Sequence, residues 1–455
     1  MGPIASNTSS EIGPRIETQG AQVRLSNDVA WPSRRGYGRG VAKDGLGRRF
    51  WTLWSAFTAS NLGDGLTLVG FPLLAISLTN DARLVTLVAA FRFLPFVTVG
   101  LPAGVLIDRF DRRGIAMVAQ VVRGAALVAI AISVLADAAS IWTLAAGAFV
   151  VGVGEVLTDG GLPAVVRDVV NSAQLEDANG RLRASETVSN MFIGPPVGAL
   201  LFQLDPTVPF LVTAGLYVAT IGLLAALPGS FKAEPDPDDG DSFNEKMMKG
   251  LSYVWGHPVL RPLALTVAAF SFVGEAGNAV LVILVTERLG LSEVQYGLLL
   301  AVDALASVTM SFFVVRLVQR TSHGASMRLS VICFSVQAFL LGFAMLAPLV
   351  ILALLFGGVA DPTWNVISAT VRQRLVDDHI FGRMMTAYLF IAWSIQPLGA
   401  VMGGIIAEAY GAQWVYVMGG CVVGSLLFFG RPLFRRVDTA MAAFGVDAHR
   451  GSDET

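Results

Sequence analysis

The sequence predicts an all-α membrane protein whose twelve transmembrane helices form two six-helix, pseudo-symmetric bundles. Three observations predict it. Twelve apolar runs are about 20 residues long or longer, enough to cross roughly 30 Å of hydrocarbon. Lys and Arg gather in alternate loops. An acid also follows glycine at matching places in two of these runs, Gly63-Asp64 and Gly274-Glu275, 211 positions apart (275 − 64 = 211). Arg92 and Asp303 repeat the same offset (303 − 92 = 211) in the next run of each half. An ionisable group at that depth costs about 2.5–3.5 kcal/mol on insertion scales, so it marks a pathway or a relay. A duplicated bundle with such groups near its seam is the layout of a secondary transporter.

Composition excludes other classes. The chain is 54% hydrophobic and 15% charged, with net charge −2; soluble chains carry about 25% charge. No basic-aromatic stripe suggests nucleic acid. Cys333 and Cys421 lie in apolar runs, and His257, His323, His379 and His449 are scattered. Neither a disulfide framework nor a metal site is expected, and no cofactor. Without a Walker A element or a Ser-His-Asp constellation, ATPase and hydrolase chemistry are not expected, and the chain reads as no enzyme.

The elements follow in order. Residues 1–47 are polar and lack the apolar core of a signal segment, so a disordered cytoplasmic tail is expected. The N-terminal bundle, 48–229, takes its spans from 50–79, 84–107, 114–136, 140–166, 182–203 and 209–229. A Pro- and Asp-rich linker covers 230–250. The C-terminal bundle, 251–436, follows with 259–286, 294–317, 325–346, 348–370, 382–408 and 412–433, then a second cytoplasmic tail, 437–455. Pro95, Pro195, Pro196 and Pro397 inside runs predict kinks, because neighbouring helices can satisfy the freed backbone groups. Arg109, Arg112 and Arg113, then Arg167 and Arg181, Lys246 and Lys249, Arg320 and Arg328, and Arg372 and Arg383 all fall on one side. Both termini are therefore expected in the cytoplasm, in a cell inner (plasma) membrane. Further matches support duplication: Ala164-Val165-Val166-Arg167 with Ala369-Thr370-Val371-Arg372, and Pro196-Val197-Gly198-Ala199 with Pro397-Leu398-Gly399-Ala400. Both copies start on one side, so the repeats are parallel.

Charges inside the spans need partners. Asn61 and Asp64 share a face of the first span, and Glu155 and Asp159 a face of the fourth. Arg92 and Arg123 are the mid-span cations of this half. Acids outnumber them, so one carboxyl is left to load and release a proton, Asp64 first and then Glu155 or Asp159. The other reading is a set of static ion pairs with Arg92 and Arg123. In the second half Glu275, Asn278, Asp303, Asp361 and Asn365 predict a polar lumen, with Phe57, Trp364 and Trp393 among aromatics able to line a cavity.

Gly104, Asp108, Arg109, Arg112 and Arg113 stand in the pattern Gly, three residues, Asp-Arg, two residues, Arg-Arg. This resembles the signature loop of the major facilitator superfamily. The resemblance implies a gating loop that latches the outward-facing state; its second copy has Gln319, Arg320 and His323 instead. Gly194, Pro195, Pro196 and Gly198 resemble the antiporter kink of drug/proton exporters in that superfamily, with Ala199 and Asn190 where it has glycine. The arginine those exporters carry on the fourth helix is absent from GVGEVLTDGG. Arg181-Leu182-Arg183 and Asp361-Pro-Thr-Trp-Asn365 are similar to the macrolide-efflux and enterobactin-exporter branch, over roughly 48–430. The resemblance implies a secondary exporter of amphipathic organic molecules, such as drugs, antibiotics or siderophores, working by proton antiport. The alternative on the same fold is an importer or facilitator of a small nutrient. The expected partners are the substrate, protons and the bilayer, with the chain a monomer.

Overall fold

The computed structural model describes residues 46–171, 174–229, 231–232 and 243–453. The first 45 residues and the centre of the expected linker lie outside them. The first bundle contains α1 (Arg48–Leu78), α2 (Ala82–Thr98), α3 (Gly100–Arg109), α4 (Arg112–Leu135), α5 (Ile141–Val169), α6 (Leu175–Glu186), α7 (Gly194–Leu204) and α8 (Val208–Ala225). The second contains α9 (Phe243–Gly256), α10 (Leu260–Val282), α11 (Glu293–Ser311), α12 (Val314–Arg320), α13 (His323–Gly342), α14 (Ala347–Leu375), α15 (Asp378–Ser394), α16 (Gln396–Tyr410), α17 (Ala412–Phe429) and α18 (Arg431–Asp453).

Among the described residues, ten helices are long and apolar enough to cross a membrane. The other two expected spans are bent pairs, α2–α3 and α6–α7. Pro95 lacks an N–H and Gly100 follows it, so the second span bends at Val99. In the fifth, a π-helical turn over Thr187–Ile193 precedes Pro195 and Pro196 at the start of α7. The eleventh breaks at Ile395, before Gln396 and Pro397. All twelve spans thus follow the apolar runs.

Two segments differ from expectation. The end of the presumed linker, 243–250, is helical within α9, where Gly250 packs against the Arg383 carbonyl of α15. The tail expected from 437 continues α18, which docks through buried Leu433, Phe434, Val437 and Met441. Amphipathic spacing of apolar residues explains both.

The apolar cores are distributed unevenly along the molecule. At the end where α1 stops and α2 starts (the distal end) one cluster draws on both bundles, for example Val69, Val85 and Phe210 with Val280, Leu299 and Val415. At the end where α1 starts and α17 stops (the terminal end) each bundle has its own: Phe50, Val165 and Leu224 in one, Leu263, Val371 and Phe434 in the other.

Candidate functional site

Glycines bring the first site together. Gly63 lies against Thr213 and Tyr217 of α8, and Gly65 against the Asn190 and Ser189 carbonyls and Gly194. Asp64, between them, is thereby held in a cleft of α1, α4 and α8. Its carboxylate forms a salt bridge with Arg123 and accepts a hydrogen bond from the Tyr217 hydroxyl at 2.7 Å. The guanidinium lies over the Tyr217 ring, 4.4 Å from its centroid. Arg123 is 1% exposed and Asp64 7%. Nearby Gln120 donates to Ser60 at 2.8 Å. Asp64, expected as the freest acid, is therefore the most fully engaged. The excess of acids over cations counted along the sequence says nothing about which acid meets which cation.

The second pair of the same half is looser. Arg92 of α2 meets Glu155 of α5 at 3.4 Å, both partly buried. Asp159 lies on α5, its side chain outside the described residues. The other half repeats the positions with different chemistry. Asp303 of α11 stands where Arg92 does, and α14, the counterpart of α5, carries Asp361. Asp303 and Asp361 are within electrostatic reach of each other, and Asn365 donates to Asp361 at 3.0 Å. Glu275, counterpart of Asp64, is buried and hydrogen-bonded to the exposed Asn278. Where Arg123 stands in the first half, the same offset of 211 leads to Phe334, which packs on Phe270 at 4.8 Å. Tyr416, in the place of Tyr217, donates to the Gly277 carbonyl at 2.7 Å instead of a carboxylate. Glu275, Asp303 and Asp361 have no salt bridge among the described residues, although Glu275 is within electrostatic reach of Arg92.

The other expected residues separate. Asn61 donates to the Phe57 carbonyl of its own helix at 2.9 Å. Phe57 is partly buried against the terminal core of the first bundle. Trp364 is a correction: it is 2% exposed and edge-on to Phe270 at 4.7 Å, a core residue and not a cavity wall. Trp393 is exposed and crosses the seam to Phe96 of α2, 5.1 Å between centroids.

The signature loop is tied to its own bundle. Asp111 caps α4 by accepting from Gly114 at 2.9 Å, and its other oxygen accepts from the Phe231 amide at 2.7 Å. The Arg112 amide donates to the Phe231 carbonyl at 3.2 Å, and Arg113 binds the Leu227 carbonyl while facing the Phe231 ring. Arg109 is exposed; Gly104 lies in α3, and the Asp108 side chain lies outside the described residues. In the decayed copy Asp438 of α18 accepts from the Gly324 amide at 2.7 Å, an equivalent tie. Sequence reading passed over Asp111, although Asp before a helix start is an N-cap signal.

The kink serves two surfaces. Gly194 and Gly198 pack on Gly65 and Leu66 of α1, in the same bundle. The Pro195 carbonyl and the Ala199 side chain face Gly297 of α11 in the other. A second distal seam joins α2 to α16. Gly404 abuts Thr86, the Ala82 carbonyl and Arg83, and the Glu408 carboxylate accepts from the Ala82 amide at 2.9 Å. Beside it the Arg83 guanidinium donates to Asp81 at 3.0 and 2.7 Å, holding that carboxyl down at about 2. Glu408 and Gly404 carried no signal of their own in sequence. Among the described residues no group of three metal-ligating side chains occurs.

A family model for the Major Facilitator Superfamily matches residues 53–395 and 264–446. The multidrug efflux pump Tap of Mycolicibacterium fortuitum is 25% identical over 388 residues, 80% of this chain and 90% of that protein. Macrolide efflux protein A of Streptococcus pyogenes is 19% identical over 387 residues, 82% and 93% of the two chains. Among solved structures, the nucleoside transporter NupG aligns with TM-score 0.70 and 13% identity, over 86% of this chain and 99% of that one. A bacterial homologue of the iron transporter ferroportin aligns with TM-score 0.69 and 15% identity, over 87% and 99%.

Proposed function

The chain belongs to the Major Facilitator Superfamily, and from that premise we propose that it is a secondary active exporter of amphipathic organic molecules, driven by proton antiport. The terminal end faces the cytoplasm, in keeping with its arginine-rich loops. One observation carries the reading: the bundles share a core at the distal end and have separate cores at the terminal end. Bundles joined in that way fit one end-state of alternating access, open to the side from which a drug arrives.

Coupling then falls to the carboxyls without a salt bridge among the described residues. Glu275, Asp303 and Asp361 lose protons to the cytoplasm, take up substrate, and regain protons when the bundles rock outward, which releases it. Loading of Asp64 or Glu155 requires Arg123 or Arg92 to let go first. The names of the relatives, multidrug and macrolide efflux, suggest a macrolide and a panel of amphipathic drugs as probes. The test is pH-driven drug uptake into inverted vesicles. Wild-type uptake that collapses with the proton gradient is expected, as is its loss in Glu275→Gln. Uptake indifferent to the gradient would sink antiport. Unchanged uptake in Asp64→Asn would remove Asp64 from coupling.

A further inference from the structure

The terminal end of the second bundle holds a cavity of about 260 Å³ between the start of α10 and α18. Trp255, His257, Arg261, Leu265 and Arg436 form its walls. None of the transport residues described above reaches it.

Its polar wall is made of donors. The Arg436 guanidinium donates to the Pro258 carbonyl at 3.0 Å, which fixes it at the cavity. The Arg261 guanidinium lies 5.4 Å from the centre of the Trp255 ring. Neither arginine has a salt bridge among the described residues, and no carboxylate lines the cavity. His257 Nδ1 accepts the amides of Val259 and Leu260, each at 3.2 Å. Burial holds the pKa of this loop histidine below its ordinary value, so the ring is neutral near pH 7. With Nδ1 accepting, its proton sits on Nε2, a free donor. The apolar lining is open: Leu265 is 47% exposed and Trp255 49%.

Two guanidiniums above an exposed apolar strip, at the level where a membrane span begins, match a molecule with an anionic head and hydrocarbon chains. A free phosphate would satisfy the arginines and leave Leu265 and Trp255 uncovered. We propose that this cavity binds the phosphate headgroup of an anionic phospholipid, with Arg261 and Arg436 on the phosphate and Leu265 and Trp255 along the acyl chains. Basic pockets at the cytoplasmic ends of membrane helices suit such heads, and an interfacial Trp suits the chain boundary. The proposal is independent of the direction and coupling of transport.

Native mass spectrometry of the purified full chain tests it, with phosphatidylglycerol, phosphatidylcholine and inorganic phosphate as probes. The wild type should retain one phosphatidylglycerol about thirtyfold more strongly than Arg261→Gln/Arg436→Gln, the expected effect of two interfacial charges. Phosphatidylcholine should not distinguish the two proteins. Arg261→Lys/Arg436→Lys, which keeps the charges but loses the planar fork, should fall between. Equal phosphatidylglycerol retention by wild type and Gln variant overturns the proposal, as does displacement of the lipid by millimolar inorganic phosphate. A second measurement leaves the arginines intact. Phosphatidylglycerol with brominated chains should quench more fluorescence in the wild type than in Trp255→Phe, and equal quenching also overturns it.

Discussion

A carboxylate and a guanidinium buried together in an apolar bundle each hold the other's charge, and removing one strands its partner. For Asp64 and Arg123 that penalty is about 3–5 kcal/mol. Arg123→Gln should therefore lower the thermal unfolding midpoint in detergent well below wild type. Tyr217→Phe removes one hydrogen bond to a charged group, worth about 1.5–3 kcal/mol, and should fall between. An Arg123→Gln protein as stable as wild type would show that the pair is not structural. Asp81 offers a pH test. Its carboxyl titrates at about 2 instead of 3.8, so the folded state prefers it ionised. Its contribution is complete above about pH 4 and is lost as pH falls toward 2. Hydrogen exchange at the start of α2 should accelerate over that window in the wild type. In Asp81→Asn it should be fast throughout.

At the scale of elements, glycine decides which helices meet. A Cβ on Gly194 would sit 2.5 Å from the Gly65 Cα, where no neighbour can yield without moving backbone. Gly194→Ala should part α7 from α1 at about 1–3 kcal/mol, read as a lower unfolding midpoint and poor yield. Gly215, in α8, has nothing within 4 Å of a built Cβ. Gly215→Ala should hold or raise stability, by up to about 1 kcal/mol. If both substitutions behave alike, close packing is not what joins α1 to α7. The proline-bearing runs predicted bends, and the bends lie beside Pro95, Pro195, Pro196 and Pro397. The helices α9 and α18 were less legible. Short amphipathic stretches rich in charge read as linker or tail until a surface exists to receive their apolar faces.

At the scale of the molecule, the distal seams must part for transport. At one of them α2 and α16 are too close for any side chain at Gly404: a built Cβ would overlap the Thr86 hydroxyl and lie 3.0 Å from the Arg83 Cα. Cysteines at Ala82 and Glu408, whose side chain reaches the Ala82 amide at 2.9 Å, should be joined by a short reducible thiol cross-linker, stop transport, and recover with reductant. Continued turnover by a fully cross-linked protein would mean that this seam does not open. Glu408→Ala removes the acceptor for the Ala82 amide. It should raise labelling, from the distal side, of a cysteine placed at Asn278.

The sequence by itself determined the spans, their bends, the doubling and the depth of the charges, because these follow from hydropathy, proline and residue offset, which are local along the chain. Tertiary structure alone decided how the charges are matched: Asp64 to Arg123 and Tyr217, Arg92 to Glu155 and, at longer range, to Glu275, and Asp303 and Asp361 to no salt bridge among the described residues. It also decided that Trp364 is core and that the bundles join at one end. The physical reason is that a side chain's partner is set by helix rotation and by where small residues let backbones approach. Both are properties of two helices at once, and neither is written in one run of residues.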